Sequence, residues 1–380
     1  MDLTTVATPL YFGTMAAEHR ALKRRAAAGG PTAADYTRPD TLASLSMGFA
    51  SLLTPLAVGQ VVRTFVPGKG RWGRRLALAT GAAAVATTVA DRIVRRSRRA
   101  AGTGRPGVEV VGASEEPAVR RARQVARVGG VATMAGAGVL ATAVSTHLAT
   151  PNRMWARGRR RDLGAGPVAW AAAVVGWDFI YYWNHRLMHE VRVQWAHHVV
   201  HHSSERYNLS TALRQPVSPF GVFVPYGLLA RAGVRPSLIE QARGVNLLYQ
   251  YWIHTDTIRR LGAGEEVLNT PSHHRVHHGS NQRYLDRNHG SILIVWDRLF
   301  GTFQREDPVD PVVYGLTRNI GTFQPLRIVT HEYVDMFRDI AGCDTWRDRL
   351  SFVLRGPGWA YRRRAERAAG APVAADPTAA

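Results

Sequence analysis

Three stretches, DFIYYWNHRLMHE (178–190), WAHHVVHHSSERYNLSTALRQ (195–215) and NTPSHHRVHHGSNQRYLDRNHG (269–290), decide how the chain is read. Of its 15 histidines, 11 fall within residues 185–278. Their spacing matters more than their number. His185 and His189 are four apart; His198, His201 and His202 are spaced three and four; His274, His277 and His278 repeat that spacing. On a helix, residues i, i+3 and i+4 share one face, so each group aims its imidazoles at a common point. His254 stands alone at the end of an apolar run, where a helix would emerge beside the others.

Eight or nine convergent imidazoles exceed the three or four protein ligands that one zinc takes. Two metals sharing them is the economical reading. Imidazole suits iron, zinc, copper and nickel alike, so ligand type does not choose the metal. Soluble di-iron bundles use Glu with Glu-x-x-His pairs, which are absent here. A single cysteine, Cys343, excludes a disulfide framework or a cysteine zinc site within the chain. A histidine-rich metal transporter is the rival class. Its ligands would sit near mid-membrane, whereas these follow apolar runs in segments rich in Arg, Glu, Asn and Ser. His19, His147, His289 and His331 read as ordinary packed or surface residues.

Moving outward, apolar stretches at 41–66, 76–90, 129–150 and 164–183 approach the roughly 20 residues that cross a bilayer. Two more, at 219–230 and 238–253, are short or interrupted and suit a re-entrant hairpin or buried helices. Counting crossings puts both histidine regions on one face, together with residues 1–40 and the arginine-rich loop 92–127. That loop carries ten arginines, so the histidine face reads as cytoplasmic. The arginines of 153–161 argue the other way by a smaller margin. No cleavable signal peptide is expected in the first 40 residues. The net charge of +21 suits an anionic membrane surface; its arginines alternate with apolar spans instead of forming a basic face with stacking aromatics, which argues against nucleic acid.

With IVWDRLFGTF (294–303), DTLASLSMG (40–48) and RGPGW (355–359), the histidine segments resemble the fatty acid hydroxylase/sterol desaturase superfamily, most of all its alkylglycerol monooxygenase branch. The pattern is His-x₃-His, His-x₂-His-His, His-x₂-His-His, and the likeness runs discontinuously from about residue 40 to 360. The resemblance implies an all-α, multi-pass membrane protein. About four transmembrane helices in hairpins would lie under a cytosolic helical cap carrying a di-iron site. Residues 1–40 would be an N-terminal cytosolic segment, 41–360 the membrane-embedded domain with its histidine region at 178–303, and 361–380 a disordered tail. It implies His185, His189, His198, His201, His202, His274, His277 and His278 as metal ligands, with His254 the ninth and His197 and His273 beside them or at the surface.

The implied activity is O₂-dependent hydroxylation of a membrane lipid of alkylglycerol, sterol or fatty-acyl type; a sterol C5-desaturase-type reaction is the alternative. Two iron ions are implied, with electrons from tetrahydrobiopterin or from a ferredoxin- or cytochrome b5-type donor. The chain has no haem motif and no cysteine cluster, so the donor is a separate partner. Two carboxylates are candidates for the chemistry. Glu190 directly follows a ligand, where it would orient an imidazole or relay a proton; the alternative is an exposed helix charge. Asp178, two turns before His185, would accept an imidazole N–H or hold a helix interface. Asn208, Asp286, Asn288 and Asp297 either support ligands or hold turns. Tyr181, Tyr182, Trp183 and Trp252 read as an interfacial aromatic belt.

Overall fold

The computed structural model describes residues 3–100, 116–148, 150–217 and 225–369. Arg105, part of the apolar run 219–230 and the final residues of the expected tail lie outside them. Fourteen α-helices are described: α1 (Leu3–Gly29), α2 (Arg38–Arg63), α3 (Gly73–Ala100), α4 (Pro117–Leu148), α5 (Pro151–Gly158), α6 (Pro167–Glu190), α7 (Arg192–His202), α8 (Gly227–Ala232), α9 (Pro236–Trp252), α10 (Pro271–His277), α11 (Val295–Leu299), α12 (Pro325–Ala341), α13 (Trp346–Leu354) and α14 (Pro357–Ala368). The only β pairing among the described residues is two isolated bridges. Proline opens α4, α5, α6, α9, α10, α12 and α14, a position where its missing N–H was never going to be bonded.

Three helices, α2, α3 and α4, are long and apolar enough to cross a membrane. At a 1.5 Å rise their 26, 28 and 32 residues exceed the roughly 30 Å hydrocarbon thickness. Leu42, Phe49, Leu52, Leu78, Val85 and Val89 on α2 and α3 are 51–71% exposed, large apolar side chains that suit hydrocarbon better than water. The α3–α4 hairpin closes through small residues. A Cβ on Gly129 or Gly136 would meet the hydroxyls of Thr87 and Thr80 at 2.4 and 2.2 Å, so only glycine permits this backbone approach.

The fourth expected span, 164–183, falls in α6, which is not among these three. Its first half packs Ala169, Ala173 and Trp177 against Ala230, Val234, Leu238, Ile239 and Ala242 of the α8–α9 region. Its second half buries Asp178 and Asn184. Tyr182 is likewise no belt residue: it is wholly buried and bonded to Thr302 at 3.0 Å.

The ends of the apolar helices meet the histidine-bearing elements. At the start of α2, Asp40 accepts hydrogen bonds from Arg214 (2.6 Å) and Ser204 (2.7 Å). Nine residues before the end of α3, Asp91 receives both guanidinium arms of Arg349 from α13, at 2.5 and 2.9 Å, with both residues buried. Helices α12–α14 pack Met336, Ile340, Phe352 and Ala360 into a small core against Val131 and Met134 of α4 and Val193 of α7. Within the first 40 residues α1 packs on α9, where the Tyr11 and Tyr251 rings lie 4.2 Å apart, tilted by 40°. The tail expected from 361 begins instead as the body of α14. The Tyr361 hydroxyl donates to Glu332 (2.8 Å), and Arg364 reaches Asp335 (2.9 Å) and Asp339 (2.7 Å). Residues 370–380 are outside the described range.

Candidate metal centre

Helix α6 delivers His185 and His189 in its last two turns; α7 delivers His198, His201 and His202; α10 and its C-cap deliver His274, His277 and His278; His254 follows the end of α9. All nine are at most 8% exposed. They divide into two groups, His185, His189, His198, His202 and His277 in one, His201, His254, His274 and His278 in the other, each with its ring nitrogens within 4.8 Å of one another. The i, i+3, i+4 spacing is what splits α7: His198 and His202 face one group and His201 the other. The groups adjoin, since the His202 and His278 rings stack at 4.4 Å.

Main-chain carbonyls set the tautomers. A carbonyl oxygen only accepts, so the ring nitrogen facing it carries the proton. His185 Nδ1–H donates to the carbonyl of His289 (2.9 Å), His201 Nδ1–H to that of Arg214 (3.3 Å), His254 Nδ1–H to that of Gln250 (2.6 Å) and His277 Nδ1–H to that of Arg287 (2.9 Å). The opposite nitrogens then present lone pairs. His201 and His254 bring theirs to 3.1 Å from each other, and His254 Nε2 lies 2.9 Å from His274 Nε2. In the other group His198 Nε2 lies 2.9 Å from His185 Nε2 and 3.1 Å from His202 Nε2. For His201 and His254, whose protons the carbonyls place on Nδ1, two unprotonated nitrogens at 3.1 Å repel unless a cation lies between them. Nitrogens bound at right angles to one ion at about 2.1 Å are about 3.0 Å apart, which matches. The Nε2 atoms of His189, His277 and His278 are buried without any partner, as metal-directed nitrogens would be. The residues present therefore fit a pair of cations.

Electrostatics agree. Burial, reinforced by neighbouring imidazoles, holds His185, His198, His202, His254, His274, His277 and His278 well below the ordinary histidine range and His201 at about 3. Neutral imidazole is the form that binds metal.

The two carboxylates singled out from the sequence do other work. Glu190 is exposed and pairs with Arg186 one turn back at 2.8 Å; next in sequence to His189, it points about 100° away from it on the helix. The carboxylate near that histidine is Asp286, 3.4 Å from His189 Nδ1. Asp178 touches no imidazole. It accepts from the backbone N–H of Ile292 (2.8 Å) and Leu293 (3.2 Å) and from the Trp296 indole (2.9 Å). Asp297, fully buried, accepts from the N–H groups of His289 and Gly290 at 2.7 Å. Together Asp178 and Asp297 strap the 289–293 segment, whose His289 carbonyl orients His185. Asn208 holds a turn through Ser210 (3.1 and 2.7 Å).

One feature escaped sequence reasoning, the place of His289 beside the ligands. His289 is wholly buried, with its ring 5.0 Å from that of His189. Asp286 and Asn288 both take left-handed backbone angles, φ 56° and 55°, on either side of Arg287, whose carbonyl orients His277. Asn and Asp are the residues that tolerate this conformation best. Asn288 is anchored there by donating to the carbonyls of His273 (3.0 Å) and Gln304 (2.7 Å). His273 itself packs on Phe303.

A helical cap enclosing a two-part, all-histidine site beside apolar helices defines a class, the histidine-rich membrane metalloproteins. Residues 170–302 match the family model for fatty acid hydroxylase. Human (Homo sapiens) alkylglycerol monooxygenase is 45% identical over 203 residues, covering 51% of this chain and 43% of that protein. The Danio rerio alkylglycerol monooxygenase is 48% identical over 191 residues, 50% of this chain and 42% of its own length. An ornithine lipid hydroxylase of Rhizobium tropici is 26% identical over 145 residues, 38% of this chain and 44% of that protein. The match thus spans less than half the length of these curated relatives. No solved structure matches it.

Proposed function

We propose that the chain is an O₂-dependent lipid monooxygenase of the alkylglycerol type, with two iron ions held by His185, His189, His198, His202 and His277 on one side and by His201, His254, His274 and His278 on the other. The observation that carries this reading is the pair of buried histidine groups whose lone pairs converge at 2.9–3.1 Å. Bound iron supplies O₂ activation, chemistry that no side chain performs alone. The net reaction is RH + O₂ + 2e⁻ + 2H⁺ → ROH + H₂O. On an alkylglycerol, hydroxylation next to the ether oxygen gives a hemiacetal, which separates into an aldehyde and glycerol.

The chain's own residues have three tasks. The carbonyls of His289, Arg214, Gln250 and Arg287 hold His185, His201, His254 and His277 in one tautomer and one rotation, and Asp286 does the same for His189. The straps from Asp178 and Asp297 keep the 289–293 segment at the height His185 needs. Burial of all nine rings excludes water from the site. The protein is a multi-pass membrane protein in this reading, with α2, α3 and α4 in the bilayer and the histidine side cytoplasmic. Support comes from the ends of α2, α3 and α4 that meet the cap, two of which flank the arginine-rich 92–127 segment.

The test is conversion of alkylglycerols, sterols and fatty-acyl lipids by membranes containing the protein, with O₂ and reductant each withheld in turn, alongside metal analysis of the purified chain. Close to two irons per chain and reductant-dependent release of aldehyde from an alkylglycerol is the expected result. Tight zinc with no oxidation of any lipid class, or cluster variants that lose cellular metal uptake instead, would remove the monooxygenase reading.

A further inference from the structure

A cavity of about 630 Å³ opens between residues 32–34, 256–260 and 306–314. Its wall mixes charges: Arg275, almost fully buried, forks onto Glu306 at 2.9 and 2.7 Å, while Arg259 stands 68% exposed with Asp256 at 3.5 Å. Tyr314 also lines the cavity. Behind it lies Tyr207, wholly buried, the two rings stacked at 4.8 Å with only 6° between their planes. Tyr207 in turn lies 5.2 Å from the His278 ring and 5.9 Å from that of His254. A bridge between Gly279 and Tyr314 ties the outer tyrosine to the residue that follows His278. Cavity, Tyr314, Tyr207 and the four-histidine group thus form one run of rings at van der Waals contact.

We propose that this cavity seats the reductant and that the Tyr314–Tyr207 stack is the route by which its electrons reach the four-histidine group. The inference rests on the monooxygenase reading, which requires two electrons and two protons for each O₂: the donor is oxidised by two electrons, one oxygen atom enters the lipid C–H bond and the other leaves as water. The cavity's volume is that of a small-molecule site. Its aromatic wall and its ring of guanidinium and carboxylate groups suit a planar heteroaromatic reductant that stacks on Tyr314 and presents polar edges to Arg259 and Asp256.

The test uses the purified full-length chain loaded with iron, oxidised, and mixed without O₂ with photoreduced flavin mononucleotide as the probe. The readout is the rate at which the ferric absorption is lost. Tyr314→Leu should slow it at least tenfold, Tyr314→Phe should restore it to within about twofold, and Arg259→Glu should raise the flavin concentration giving half the maximal rate while leaving the saturated rate alone. Tyr207 also donates a hydrogen bond to the Ile253 carbonyl at 2.9 Å. Tyr207→Phe removes that bond and keeps the ring, so it should reduce at close to the wild-type rate. Iron content and final extent of reduction should be equal in all variants. Unchanged reduction in Tyr314→Leu, or slowing by Tyr314→Phe as severe as by Tyr314→Leu, overturns the route. If that happens while wild type still oxidises lipid, only the route fails. A wild type that binds no redox-active metal overturns both readings.

Discussion

The histidine cap and the apolar helices bury opposite things. In the cap, nine imidazoles, three arginines and the carboxylate of Asp297 are almost wholly inside, with Arg192 paired to Glu332 at 2.8 Å, Arg214 to Asp40 at 2.6 Å and Arg275 to Glu306 at 2.7 Å. Along α2 and α3, by contrast, Leu42, Phe49, Leu52, Leu78, Val85 and Val89 are outside. Each region would be unstable in the other's surroundings. The difference shows that solvent, not composition alone, decides which side of an element is its face: hydrocarbon accepts the exposed leucines, while the cap confines its polar groups by bonding them to one another.

The sharpest way to break this contrast is to remove one ligand. His189→Ala, His201→Ala or His277→Ala should each lower lipid oxidation by more than about 100-fold and reduce bound iron, while abundance in the membrane fraction stays close to wild type. Aldehyde release, metal analysis and quantitative blotting measure the three. A variant that instead disappears from the membrane would show that the imidazoles hold the fold. Next in size is the Asp91–Arg349 pair, a buried ion pair that joins the cap to an apolar helix. Either Asp91→Ala or Arg349→Ala strands a buried charge and should cost about 3–5 kcal/mol, read as a lower melting temperature in detergent. Replacing both by Leu and Met should recover most of that loss, and a double variant no better than the singles would show that the pair matters through shape.

A charge placed on the lipid face sharpens the comparison further. Leu52→Arg on α2, at a side chain 71% exposed, should oppose insertion by about 2.5–3.5 kcal/mol and reduce the carbonate-resistant fraction. Val309→Arg, at 90% exposed in the 305–314 segment, should change stability by less than about 0.5 kcal/mol. Equal tolerance of both would mean α2 is not in hydrocarbon. The smallest effect concerns Cys343, buried between α12 and α13, where burial pushes its thiol up to about 11. Only the thiolate is alkylated, so at pH 8 the folded chain should react roughly 100-fold more slowly than the unfolded chain. The gap should narrow as pH rises toward 11; rapid labelling of the native protein at pH 8 would contradict the packing of α12–α14.

What was legible in advance was whatever is written in side-chain spacing. The three histidine motifs predict shared helix faces, and the structure gathers those rings with His254, although a lone histidine carries no periodic signal and was placed only by where its apolar run ends. The supports were illegible for a physical reason. Four imidazoles are oriented by main-chain carbonyls, of His289, Arg214, Gln250 and Arg287, and a carbonyl has no residue type to betray it. Glu190 was attractive because it is adjacent to a ligand, but adjacency on a helix means a different face. Asp178 shares a face with His185 yet sits about 10 Å away along the axis, and the 292–296 segment reaches it first. The apolar runs at 41–66, 76–90 and 129–150 correspond to α2, α3 and α4. The fourth, α6, differs because the same residues that raise its hydropathy pack against α8 and α9.

The link between Asp91 and Arg349 spans 258 positions of sequence. At about 5–20 residues per second of synthesis, α3 waits on the order of tens of seconds before its partner exists. During that interval an acidic side chain within an apolar helix has no guanidinium to answer it, and a carboxylate in that setting is costly. With α3 and α4 in the bilayer as proposed, biogenesis would have a late checkpoint. The α3–α4 hairpin holds its place provisionally, and only a ribosome that has passed residue 349 can lock it, so a nascent chain cut short before α13 would leave a membrane anchor with an unanswered charge for quality control to find.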